Sequence, residues 1–61
     1  MERYNLAIII PAFNEENSIK NIVESVLRYG EVIVINDGSK DQTSLLAKRS
    51  GALVIDHQNN L

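Results

Sequence analysis

Val32-Ile33-Val34-Ile35-Asn36-Asp37-Gly38 decides the fold. Four consecutive β-branched apolar residues with no polar alternation predict a strand buried on both faces, as in a parallel sheet rather than a half-solvated antiparallel one. Asn36-Asp37-Gly38 then stops it with turn residues. Working outward, Leu6-Ala7-Ile8-Ile9-Ile10 has the same character and is closed by Pro11, and Leu53-Val54-Ile55 makes a third run of the kind. Between the first two runs, Ile19, Ile22, Val23, Val26 and Leu27 recur at helical spacing, so an amphipathic helix is expected there. Asn14 ahead of Glu15 and Glu16 is its expected cap and acidic start. Arg28 belongs to the last turn, and Gly30 is available for a left-handed cap. Ser39 and Gln42 are spaced as a capping box for a second, shorter helix carrying Leu45, Leu46 and Ala47 and ending before Gly51.

The order β-α-β-α-β predicts an α/β, Rossmann-like parallel sheet with right-handed crossovers. If both crossovers run the same way, the sheet order is 3-2-1 and both helices lie on one face. One face would then carry some of Leu6, Ile8, Ile10, Val32, Val34, Leu53 and Ile55, and the other Ala7, Ile9, Ile33, Ile35 and Val54. Either set left bare exceeds the few hundred Å² of contiguous apolar surface a monomer normally tolerates. Three resolutions stand: the sequence opens a larger domain, two copies pair through the bare face, or the order is 2-1-3 with one helix on each face. The first is the expectation adopted, with residues 1–61 as the N-terminal portion of a longer domain cut at its C-terminus.

Sixty-one residues make one small domain at most, and a chain of that size buries only about 60% of the surface its unfolded form exposes. It has no cysteine, so disulfide staples are excluded. Hydrophobic residues at 44% and charged residues at 23% argue against a disordered tail or a low-complexity linker. A net charge of −2 supplies no field for a nucleic-acid backbone. The longest apolar run, Leu6 to Pro11, is far short of the ~20 residues that cross a bilayer, and Met1-Glu2-Arg3 lacks a cationic leader. A cytoplasmic location is expected, with membrane association of a longer parent left open.

In open parallel sheets, ligands sit beyond the carboxyl ends of the strands. Those ends are Pro11-Ala12-Phe13-Asn14-Glu15 and Asn36-Asp37-Gly38-Ser39. Neither contains a glycine-rich phosphate cradle, which counts against a dinucleotide oxidoreductase and a P-loop enzyme. Glu15 and Glu16 would repel a phosphate. A nucleobase imide N–H or a ribose hydroxyl can instead donate to Glu15 or Asp37, Phe13 can lie against a base, and Gly38 lets the backbone approach closely. A nucleoside site is therefore predicted. The charge of an attached diphosphate would be neutralised by a divalent metal held by carboxylates outside these residues. Asp41, Ser39 and Thr43 read as helix-cap groups, His57 as a solvated loop residue, and Tyr4 and Tyr29 as packing residues.

Ile8-Ile9-Ile10-Pro11-Ala12-Phe13-Asn14-Glu15-Glu16, with Val34-Ile35-Asn36-Asp37-Gly38-Ser39-Lys40-Asp41-Gln42-Thr43, resembles the opening of the family 2 glycosyltransferases. These are inverting enzymes of the GT-A fold that include dolichyl-phosphate mannose synthase-like proteins. The family pattern is Pro-x-aromatic-Asn-Glu in the first loop and Asp/Asn-Asp-Gly-Ser-x-Asp-x-Thr in the second. The resemblance implies that Pro11, Phe13 and Glu15 surround the nucleoside of a nucleotide-diphosphate sugar and that Asp37 contacts the base. Phe13 stands where the family often has tyrosine, which keeps stacking and removes a hydroxyl. The family's metal-binding Asp-x-Asp, a site for Mg or Mn, its catalytic base and its acceptor site have no counterpart in these residues. This chain alone is thus expected to be inactive and to bind no metal. Asn59-Asn60-Leu61 looks like the start of the family's Asn-x-Gly-x-Gly segment. The alternative is a non-catalytic nucleotide-binding or structural half-domain that assembles, as a homo-oligomer, through its uncovered sheet face. A nucleotidyltransferase is a weaker third reading, since no glycine- and lysine-rich first loop is present.

Overall fold

The computed structural model describes residues 6–57. Tyr4 and the Asn59-Asn60-Leu61 segment lie outside them. Strands β1 (Ala7–Ala12), β2 (Glu31–Asp37) and β3 (Leu53–His57) alternate with helices α1 (Ile19–Val26, extended by a 3-10 turn over Leu27–Tyr29) and α2 (Thr43–Arg49). The strands pair in parallel in the order β1-β2-β3. Both crossovers therefore move the same way, and the 2-1-3 order is excluded.

Ala12 from β1, Val32 and Val34 from β2, Ile19 and Val23 from α1 and Ala47 from α2 form one buried cluster, flanked by Ile8, Ile10 and Val54. Both helices thus cover the same face. Burying each large apolar side chain there contributes about 1.5–3 kcal/mol. The opposite face is open: Ile9, Leu53 and Ile55 are exposed, with Ile33 and Ile35 half-buried between them. β3 corrects the face assignment made from sequence. Its register sets Leu53 beside Ile33 and Ile55 beside Ile35, so Leu53 and Ile55 lie on the open face and Val54 turns to the helices. Alternation within a strand is local, but its phase relative to a neighbour is set by pairing.

Three local expectations also change. Glu15 and Glu16 precede the helix rather than starting it: Ser18 and Ile19 donate their N–H groups to the Glu15 carbonyl at 2.9 and 2.8 Å, forming a turn that delays α1 to Ile19. Gly30 is extended, with φ 173°, and makes no left-handed cap. A side chain there would instead run into the Leu6 carbonyl, whose oxygen accepts the Glu31 N–H at 2.9 Å and opens the β1–β2 ladder. At the end of α2 the left-handed residue is Gly51, with φ 111°. The Ala52 N–H reaches the Ala47 carbonyl and the Gly51 N–H the Lys48 carbonyl, the paired bonds of a Schellman ending. Tyr29 is exposed rather than packed, with the Arg28 guanidinium 5.7 Å from its ring centroid.

Candidate functional site

The carboxyl ends of all three strands meet at one edge of the sheet, where Ala12, Asn36 and Asp56 stand in register, as do Asp37 and His57. Two loops leave this edge. The first, between β1 and α1, contains Phe13 to Ser18. The second, between β2 and α2, contains Gly38 to Gln42.

Side chains of each loop bind the backbone of the other. Asn14 donates its N–H to Ser39 Oγ at 2.7 Å, and its Oδ1 accepts the Lys40 N–H at 2.9 Å. The Glu15 N–H donates to Thr43 Oγ1 at 2.7 Å. The Glu16 N–H reaches Asp41 Oδ2 and the Gln42 N–H reaches Glu16 Oε1, both at 3.2 Å. Asn14 holds a left-handed conformation, φ 53°, which asparagine tolerates better than most side chains. These bonds clasp the loops together.

The clasp explains why the expected capping box does not form. Ser39 Oγ is committed to Asn14, and α2 begins only at Thr43. Asp41 serves the helix start: its Oδ1 accepts the Thr43 N–H at 2.9 Å and the Thr43 hydroxyl as well. The Thr43 hydroxyl bond, foremost, with backbone N–H donors from Thr43 and Glu16, holds the Asp41 carboxyl below its ordinary value, against a smaller opposing effect of burial. Of the three cap groups expected from sequence, Asp41 and Thr43 act at the helix start and also across the loops, and Ser39 acts across the loops.

Pro11 and Asp37 continue the alternation of Ile9 and Ile35 onto the open face, and both are exposed. Phe13 is 57% exposed, so it is not a core residue. The half-buried Glu15 accepts the Ser18 hydroxyl at Oε1, 3.3 Å away. Gly38 takes φ 75°, a left-handed conformation that turns the chain directly after Asp37. The five residues singled out from sequence thus gather at one end of the sheet, with Asp37 and Pro11 at the rim of the open face and Glu15 tied into the first loop.

Two features were missed. His57 is not a loop residue; it ends β3, and its Nδ1 lies 3.0 Å from Asp37 Oδ1. Stepping by two from Leu53 through Ile55 reaches it, so alternation combined with the 3-2-1 order contained the signal. On the helix-covered side, buried Asn36 donates Nδ2 to Asp56 Oδ1 at 3.0 Å, while Asn36 Oδ1 finds no partner among the described residues. That amide, the Ser44 hydroxyl and the Lys48 charge hold the Asp56 carboxyl below its ordinary value.

Among the described residues, no three His, Cys, Asp or Glu side chains converge to hold a metal. No described helix is long and apolar enough to cross a membrane.

The family model for glycosyl transferase family 2 matches residues 7–61. The chain belongs to this family. A 4,4'-diaponeurosporenoate glycosyltransferase from Staphylococcus aureus strain bovine RF122 / ET3-1 is 46% identical over 55 residues, covering 85% of this chain and 15% of that protein. The corresponding protein of strain MRSA252 is 46% identical over 54 residues, 84% of this chain and 14% of its own length. The chain therefore spans about one-seventh of these relatives. Among solved structures, glucosyl-3-phosphoglycerate synthase from Mycobacterium tuberculosis in complex with Mg2+ and uridine-diphosphate matches with a TM-score of 0.76 and 34% identity, over 82% of this chain and 20% of that one. The same enzyme with Mn2+, uridine-diphosphate and phosphoglyceric acid matches at 0.77 and 36%, over 82% of this chain and 19% of that one. The α/β fold expected from sequence matches that of these solved structures.

Proposed function

We propose that this chain forms the nucleoside-recognition part of an inverting glycosyltransferase that transfers a sugar from a nucleotide-diphosphate sugar to an acceptor. The observation that carries this reading is the Asp37 carboxylate, exposed at the end of β2 beside a left-handed Gly38, with the flanking loops already clasped. A carboxylate so placed accepts a base N–H, the absent side chain at Gly38 admits the nucleoside, and the exposed Phe13 ring packs against the base. Glu15 accepts from the ribose and Pro11 walls the pocket on the open side. Because the clasp pre-exists, little loop ordering is left to oppose binding.

The uridine-diphosphate bound by the mycobacterial enzyme supports a uridine nucleotide as the ligand. The Mg2+ and Mn2+ in those complexes support a divalent metal in the complete protein, held by groups outside residues 6–57. A cytoplasmic setting, where nucleotide sugars are made, fits the same reading. Titration of uridine diphosphate into the intact protein tests it. Asp37→Ala should weaken binding by on the order of 1–3 kcal/mol, the scale of a hydrogen bond to a charged group, with the fold retained. Unchanged affinity would remove Asp37 from the site.

A second reading, a half-domain that assembles through the sheet, is favoured by one observation: Ile9, Leu53 and Ile55 are about half exposed on the face away from the helices.

A further inference from the structure

Asp37 and His57 face each other across the β2–β3 ladder at the rim of the open face, His57 Nδ1 to Asp37 Oδ1 at 3.0 Å. A carboxylate offers only acceptors, so the ring nitrogen facing it carries the proton. Both side chains are largely in solvent, 65% exposed for His57 and 54% for Asp37. An exposed pair of this kind contributes little to folding. Its effect lies in orientation. The strand ends immediately after Asp37, at Gly38, which brings no side chain to brace the carboxylate, and His57 is the one described side chain that hydrogen-bonds it.

We propose that His57 is a positioning and specificity-determining residue: it pins Asp37 Oδ1 and leaves Oδ2 to accept from a base that offers a single N–H, which selects a uracil-type base over guanine. The inference rests on the reading of Asp37 as the base acceptor. Uracil presents one imide N–H between two carbonyls, and one carboxylate oxygen satisfies it. Guanine presents two adjacent donors, the ring N–H and the exocyclic amine, and pairs best with both oxygens of a carboxylate free to face it. A carboxylate turned by His57 is poorly disposed to that bidentate contact. Covering the pair with a base also removes water from it, which strengthens the Asp37–His57 bond at the moment it is needed.

The test is calorimetric titration of UDP and of GDP into the intact protein carrying His57→Leu, His57→Asn, Asp37→Ala, or His57→Leu with Asp37→Ala. Asparagine places an amide N–H near the position of Nδ1. His57→Leu should weaken UDP binding about three- to tenfold, as loss of a partly covered bond to a charged group does, and narrow the UDP preference over GDP. His57→Asn should restore most of both, and His57→Leu should have no further effect once Asp37 is alanine. A merely structural role would give neither the rescue nor the cancellation. UDP binding that requires Asp37 but is unchanged by His57→Leu, or a wild-type protein that binds GDP as tightly as UDP, would overturn this inference alone. Absence of UDP binding, or indifference to Asp37→Ala, would overturn the proposed function beneath it.

Discussion

Replacing Asn14 separates two contributions that the loop clasp combines. The side-chain oxygen accepts the Lys40 N–H, and the backbone sits at φ 53°. In Asn14→Ala the acceptor is lost and a Cβ is forced into the left-handed region without the local hydrogen bonding that lets asparagine occupy it. In Asn14→Gly the acceptor is lost but the backbone penalty disappears. A net hydrogen bond in a largely exposed loop contributes about 0.5–1.5 kcal/mol, and the left-handed conformation costs an alanine roughly 1–2 kcal/mol. Alanine should therefore destabilise the clasp by about 1.5–3.5 kcal/mol and glycine by about 1–2.5 kcal/mol, the lost hydrogen bond plus its greater unfolded-state entropy. Amide exchange in the intact protein reads this out at Lys40, with the Glu31 N–H as the distant control. Exchange at Lys40 should accelerate in both variants and most in alanine, while Glu31 stays protected. UDP affinity should fall in the same order, because a loosened loop must be ordered again on binding. Equal effects of alanine and glycine would refute the role of backbone conformation. No change at Lys40 in either variant would refute the clasp itself.

Gly30→Ala should disrupt the start of the β1–β2 ladder, since a Cβ collides with the Leu6 carbonyl; a loss on the order of 1–3 kcal/mol is expected from chemical denaturation, and an unchanged midpoint would count against the close approach. Asp41 has a folded-state pKa below its unfolded value, so the stability it contributes is present above about pH 4 and is lost as pH falls through the folded value. Asp41→Asn should accordingly differ from wild type near neutral pH and converge with it in acid, and a constant difference across the acid limb would contradict the shift. The isolated 61-residue chain should sediment as an oligomer or be partly unfolded because of Ile9, Leu53 and Ile55; a stable, dilute monomer would show that the open face needs no cover. Incubated with labelled UDP- or GDP-sugars and Mn²⁺, that chain should transfer no sugar above background. Turnover lost in Asp37→Ala would reveal catalytic groups within it.

The sequence by itself determined the number and type of the elements. Val32–Ile35 and Ile8–Ile10 are apolar at every position, the pattern of strands in a parallel sheet rather than of half-solvated antiparallel ones. It also nominated the candidate site, because Pro11, Asn36 and Asp37 end the strands and ligands in open parallel sheets collect at such ends. These signals are local and are read within a few residues. What only the tertiary structure decided depends on partners distant in the chain. The face taken by Val54 as against Leu53 and Ile55 follows from the register of β3 on β2, which no pattern inside β3 contains. Asn14 and Ser39 are 25 residues apart, and Glu15 and Thr43 are 28 apart. Each looked like a cap for its own helix because serine, threonine and asparagine bind nearby backbone as readily as distant backbone. Parallel pairing brings both loops to one end of the sheet, where cross-loop bonds compete with the local ones. Gly30 and His57 follow the same logic: the carbonyl that excludes a side chain at Gly30 and the carboxylate that engages His57 both belong to neighbouring strands.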